Sequence, residues 1–160
     1  MTLKRNKLFN NKRVLITGHT GFKGSWLSLW LSRLGADIVG LSLDVPTEPS
    51  QFLGSEIDQL VDNDVRLDIR DVDGVNDLMR QEQPDFVFHL AAQPLVRYSY
   101  INPKETFDTN FVGSLNILEC VRRLKNIKST IIITTDKVYD NSRNKVFKET
   151  DKLGGHDPYS

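Results

Sequence analysis

A short apolar run, Val14-Leu15-Ile16, leads almost directly into Gly18-His19-Thr20-Gly21-Phe22-Lys23-Gly24, and a helical pattern follows. This order of strand, glycine turn and helix constrains the fold more than any other feature of the chain. A strand apolar at consecutive positions is buried on both faces, which suits a parallel sheet. From Gly21 to Leu34 the helical spacing puts Trp26, Trp30 and Leu34 on one face, with Leu27 and Leu31 beside them. Gly35 stands where a helix C-terminal glycine belongs.

The alternation continues. Ile38 to Leu43 reads as a second strand, residues 46–54 as a loop and Val65 to Ile69 as a third strand. Asp71 caps a helix with Val72, Val75, Leu78 and Met79 on its apolar face. Phe86 to Leu90 is a fourth strand. Asn102-Pro103 opens a helix with Phe107, Phe111, Leu115 and Leu118 at helical spacing, closed by Arg122, Arg123 and Lys125. Ser129 to Thr135 is the fifth strand, and residues 140–157 read as loop. The pattern predicts an α/β fold, a Rossmann-like doubly wound parallel sheet.

A chain of 160 residues fits one such domain, so residues 1–160 are taken as a single unit. Lys plus Arg and Asp plus Glu both number 21, and this neutrality argues against a nucleic-acid partner. Cys120 is the single cysteine and cannot form an internal disulfide, which points to a reducing, cytoplasmic setting. No apolar run approaches the ~20 residues that span a bilayer, so no membrane partner is expected. Lys4, Arg5, Lys7 and Lys12 are not followed by the apolar stretch of a secretory signal. No metal site is expected.

A glycine turn between a strand and a helix lets backbone N–H groups approach a pyrophosphate, and the helix dipole adds to the attraction. The spacing here is Gly-x-x-Gly-x-x-Gly. The bland alternative is a tight turn with a close helix–strand contact. At the end of the second strand, Asp44 stands at the right distance to hold ribose hydroxyls. If the strand ends earlier, Ser42 takes that place and Asp44 is a loop-entry residue. No arginine follows at once to hold a 2′-phosphate, which favours NAD over NADP. Asp68-Ile69 closes the third strand, where the carboxylate can accept from an adenine amino group and the Ile can pack the ring. The alternative is a solvated Asp before a helix cap. His89-Leu90-Ala91-Ala92-Gln93 ends the fourth strand in small residues that permit close backbone approach; His89 by itself reads as a satisfied core histidine.

Together with Thr109-Asn110, Thr134-Thr135-Asp136-Lys137 and Tyr159, these motifs resemble the extended short-chain dehydrogenase/reductases. Three runs are more particular: residues 18–26, residues 91–97 and residues 153–160 resemble the CDP-glucose 4,6-dehydratase branch of that family. The likeness runs from about residue 11 to the end.

The resemblance implies NAD as cofactor, CDP-glucose as substrate and a homodimer or higher oligomer. It places Gly18, Thr20, Gly21, Phe22, Lys23, Gly24, Ser42, Asp44, Asp68, Ile69, Leu90, Ala91, Ala92, Gln93, Asn110 and Thr134 around the cofactor. The implied reaction oxidises the sugar at C4, eliminates water across C5 and C6, and reduces C6. Tyr159 takes the C4 hydroxyl proton, and Thr135 polarises the C4 oxygen. Asp136, kept protonated by partial desolvation, is the acid for the C6 hydroxyl. Related dTDP-sugar dehydratases carry a glutamate base where this chain has Lys137, which would have to be neutral to serve.

The family pairs its tyrosine with a lysine four residues on, a position beyond Ser160. The chain is therefore expected to be the amino-terminal half of a dehydratase, inactive alone, with Tyr159 unanchored. The helix after Pro103 either builds the family's dimer interface or faces the sheet. Two alternatives stand beside the dehydratase: a nucleotide-sugar epimerase or reductase, and a catalytically dead dinucleotide-binding module. An epimerase needs no acid for a C6 hydroxyl, so Thr135-Asp136-Lys137 speaks against it.

Overall fold

The computed structural model describes residues 8–140 and 146–160. The basic residues Lys4, Arg5 and Lys7 and part of the loop after residue 140 lie outside these. Five parallel strands form one sheet: β1 (Arg13–Thr17), β2 (Asp37–Ser42), β3 (Asn63–Arg66), β4 (Phe86–His89) and β5 (Ser129–Ile132). Their order is β3-β2-β1-β4-β5. The chain thus winds outward from β1 in one direction and then returns to build the other side from β4. The point where the order reverses lies between β1 and β4, and open α/β sheets bind ligands at the carboxyl ends of the strands at such a point.

Two apolar layers hold the helices on. On one face Leu15, Val39, Leu41 and Val87 pack with α3 (Val72–Glu82) and α6 (Ser114–Arg123) through Val75, Met79, Ile117 and Cys120. On the other, Val14, Ile16, Ile38 and Phe86 pack with Leu31 of α1 (Phe22–Arg33). Every strand residue in these layers is nearly solvent-free, as consecutive apolar residues in a doubly covered sheet must be. Asp71 caps α3 by accepting the Gly74 N–H at 3.0 Å.

The face α1 turns inward is made of small residues. Gly24, Ser25, Ser28 and Leu31 are buried, while Phe22, Trp26 and Trp30 face solvent. The two serine hydroxyls donate to Gly21 O and Gly24 O one turn back, at 2.8 and 2.9 Å, so the inward face carries no unsatisfied polar group.

The helix predicted after Pro103 is broken into three parts. A short α5 (Pro103–Phe107) passes into a π turn (Asp108–Gly113) and then α6. Phe107, Phe111, Leu115 and Leu118 face solvent, so they do not face the sheet. Three elements were not legible beforehand: α2 (Gln51–Gly54), a 3₁₀ turn (Ile57–Leu60) and α4 (Val96–Ile101).

β5 is the sheet's edge and ends at Ile132, three residues short of the predicted strand. Its Ile131 and the following Ile133 are half-exposed, against the expectation of a buried run. A 3₁₀ turn (Asp136–Val138) follows. The segment beyond residue 146 folds back on it, with a bridge from Tyr139 to Leu153 and the ring of Tyr139 stacked on Phe147 at 4.9 Å.

Candidate functional site

The glycine turn sits at the carboxyl end of β1, where the strand order reverses. Gly18 has φ +74°, and a side chain there would lie 2.7 Å from the Ala91 nitrogen. Only a glycine both adopts this backbone and lets β1 come so near the exit of β4. The Gly18 N–H donates to Leu41 O at 2.7 Å, which ties the turn to β2 as well. Gly21 caps α1 without a side-chain hydrogen bond. The first amides of a helix lack intrahelical partners, so this end of α1 offers N–H groups and the positive end of a dipole to an anion. Phe22 and Lys23 stand exposed on that first turn.

His19 anchors the turn from below. Its ring is fully buried, with Nε2 2.9 Å from Asp64 Oδ1. Burial pushes its pKa down, and the Asp64 carboxylate opposes this. Thr20 Oγ1 lies 2.7 Å from Ser42 Oγ, so the turn and the last residue of β2 share a hydrogen bond. Ser42, not Asp44, therefore occupies the strand end, and Asp44 is exposed two residues beyond.

β3 ends at Arg66, so Asp68 and Ile69 lie past the strand they were expected to close, and the Asp68 carboxylate is gripped by Arg70. Oδ1 accepts from the Arg70 backbone N–H at 2.8 Å, and Oδ2 accepts from Nη2 at 2.6 Å. These bonds hold the Asp68 pKa below its ordinary value. The Ile69 side chain, expected to pack an adenine ring, instead packs into the core beside Gly113 and is only 4% exposed.

A buried network supports the loop after β4. Thr17 Oγ1 accepts the N–H groups of Leu90 and Ala91, both at 3.1 Å, and lies 2.6 Å from His89 Nδ1. His89 Nε2 lies 2.8 Å from Ser114 Oγ, which donates to Asn110 O at 2.7 Å. Asn110 clamps Gln93: its Oδ1 accepts the Gln93 N–H at 2.7 Å, and its Nδ2 donates to Gln93 O at 3.0 Å. Ala92 is exposed between them. Burial pushes the His89 pKa down to about 4.

Thr134, Thr135, Asp136 and Lys137 follow β5 on the same edge of the sheet. The Thr135 hydroxyl caps the 3₁₀ turn by accepting the Lys137 N–H at 3.3 Å. Asp136 is exposed, which differs from the partial desolvation expected of it. Tyr159 is half-buried in a turn closed by its own neighbours. Asp157 accepts the Ser160 N–H at 3.0 Å and its hydroxyl at 2.7 Å. These bonds close a local turn, Asp-Pro-Tyr-Ser, around Tyr159.

Among the described residues no group of His, Cys, Asp and Glu could hold a metal ion, and no helix is long and apolar enough to cross a membrane. The sequence motifs did not single out Thr17 and Ser114. A hydroxyl at each end of a strand-terminal histidine is visible only once β1, β4 and α6 are assembled.

A profile of the GDP-mannose 4,6 dehydratase family matches residues 15–160. The chain belongs to that family. It is 48% identical over 154 residues to the CDP-glucose 4,6-dehydratase of Salmonella typhimurium, covering 95% of this chain and 42% of that protein. The UDP-glucose-4-epimerase of Stenotrophomonas maltophila, crystallised with bound NAD and formylated UDP-arabinopyranose, superposes with a TM-score of 0.80 at 26% identity. That match covers 93% of this chain and 44% of the epimerase. The UDP-glucose 4-epimerase of Thermus thermophilus, in complex with NAD, gives a TM-score of 0.79 at 28% identity, covering 92% of this chain and 46% of that one. The chain thus spans under half the length of the relatives it matches.

Proposed function

We propose that this chain is the NAD-binding part of a nucleotide-sugar 4,6-dehydratase acting on CDP-glucose. The observation that carries the proposal is a placement. The glycine turn, the Leu90–Gln93 loop and Thr135-Asp136-Lys137 stand at the carboxyl ends of three adjacent strands, β1, β4 and β5. Family membership and the 48% identity to a CDP-glucose 4,6-dehydratase support the choice of reaction and sugar nucleotide.

The close backbone cradle at Gly18 and Gly24 and the open amides of α1 fit a pyrophosphate. In this reading Gly18, Thr20, Gly21, Phe22, Lys23 and Gly24 hold it. Ser42, with Asp44 beyond it, takes the adenosine ribose, and Asp68 and the Ile69 backbone take the adenine. Leu90, Ala91, Ala92, Gln93, Asn110 and Thr134 wall the nicotinamide side. Bound NAD supplies a store for the hydride between oxidation at C4 and reduction at C6.

The chain's own groups handle protons. Tyr159 Oη takes the proton of the C4 hydroxyl, and the Thr135 hydroxyl donates to the C4 oxygen. Asp136 gives its proton to the departing C6 hydroxyl, and Lys137 stands nearest in sequence for the C5 proton. The acid role needs a protonated carboxyl, so in this reading bound sugar and the remainder of the protein exclude water from Asp136.

The exposed strip of Phe107, Phe111, Leu115 and Leu118 fits a second copy of the protein, giving a homodimer. An NAD titration of this chain tests the cofactor. A protein of the relatives' full length that carries this chain, given CDP-glucose and NAD, tests the reaction. Mass spectrometry is expected to show a product lighter by one water. A product of unchanged mass but inverted C4 would favour the epimerase reading instead.

A further inference from the structure

The hydrogens of the buried network can be assigned one after another. Backbone amides only donate, so Thr17 Oγ1 accepts from Ala91 and from Leu90, whose N–H it shares with the Thr17 carbonyl at 3.1 Å. Its own hydrogen then goes to His89 Nδ1. That nitrogen accepts, so the ring hydrogen sits on Nε2 and is given to Ser114 Oγ. Ser114 in turn donates to Asn110 O. A neutral imidazole suits the place, because it is the one rigid side chain that accepts at one nitrogen and donates at the other.

The far end of this relay is the π turn. Ser114 lies four residues after Asn110, the distance at which a regular α-helix pairs N–H with C=O. Here the Ser114 N–H donates to Phe111 O, and its hydroxyl fills the Asn110 carbonyl. A side chain inserted into the helix ladder is a recognised cause of such a distortion, and π turns gather at functional sites. The side chain of Asn110, inside this turn, satisfies both backbone groups of Gln93.

We infer that His89 is a positioning residue: it fixes the Ser114 hydroxyl on the Asn110 carbonyl, holds the π turn open, and so sets the backbone of residues 90–93 through Asn110 and Thr17. The consequence for a cofactor rests on the proposed NAD reading. The geometry itself does not. The His89 side chain reaches the loop only through Thr17, Ser114 and Asn110, and Ser114→Ala cuts the relay without touching the loop at all.

The test uses the 160-residue chain and three readouts: ring ¹⁵N shifts of His89, hydrogen exchange at the Gln93 N–H, and calorimetric NAD affinity. In the wild type the ring is expected to carry its hydrogen on Nε2, and this needs no variant. Ser114→Ala is expected to speed Gln93 exchange about tenfold, the effect of one lost hydrogen bond. NAD affinity should fall about as much, and the melting temperature by a few degrees, as the partner lost at His89 Nε2 implies. His89→Gln, whose amide reaches as far as Nε2, should protect Gln93 better than His89→Asn. A hydrogen on Nδ1, or unchanged Gln93 exchange in Ser114→Ala, overturns the inference. Absence of NAD binding by the wild type would overturn the cofactor reading, and the exchange data would still decide this one.

Discussion

A side chain on Gly24 would place its Cβ 2.1 Å from the carbonyl oxygen of Gly18 and 2.6 Å from the His19 Cα. The contact is backbone against backbone, so no rotamer change can relieve it, and α1 would have to move away from the turn. Overpacking of this kind costs roughly 1–3 kcal/mol. Gly24→Ala is expected to lower the melting temperature by several degrees, as about 2–4 °C per kcal/mol implies, and to abolish NAD binding. An unchanged melting temperature would contradict the close approach.

His89 makes stability depend on pH. Unfolded, the ring takes a proton near pH 6.5; folded, burial delays protonation to about pH 4. Between these values the unfolded state holds more protons, so stability falls as pH drops, by up to about 1.4 kcal/mol per unit. Above pH 6.5 the effect is absent. His19, lowered by its own burial, acts in the same direction. Urea unfolding at pH 7 and pH 5 should show this loss in the wild type and a smaller one in His89→Gln. Equal losses would contradict the assignment.

Phe111 is 65% exposed in the middle of an apolar strip on the π turn and α6. Sedimentation of the chain is expected to show self-association that rises with concentration. Phe111→Glu should shift it toward monomer, since a charge in an apolar contact is costly to desolvate. A wild type that stays monomeric at all concentrations would remove the dimer proposal.

The strands that build the sheet's centre were legible because β1, β2 and β4 are apolar at consecutive positions, and the glycine turn and the Asp71 cap announce themselves by residue type. The orientation of α1 was not legible. Its inward face is Gly24, Ser25 and Ser28, and small residues chosen for close approach look polar in a sequence, while Trp26 and Trp30 look like core. The π turn was hidden for a different reason. Its partner is His89, on another element, so helical spacing alone could only suggest an unbroken helix from Pro103. Of the site residues, Thr20 with Ser42 and Asn110 with Gln93 meet by hydrogen bonds. Asp68 instead meets Arg70, a pairing two residues apart that a motif search passes over.

Calorimetric titration of NAD into the 160-residue chain bears most directly on the central claim, that the glycine turn and its neighbours form a working cofactor site. Saturable binding at one site per chain, lost in Gly24→Ala, is the expected result. A chain with folded circular dichroism that takes up no NAD would contradict it.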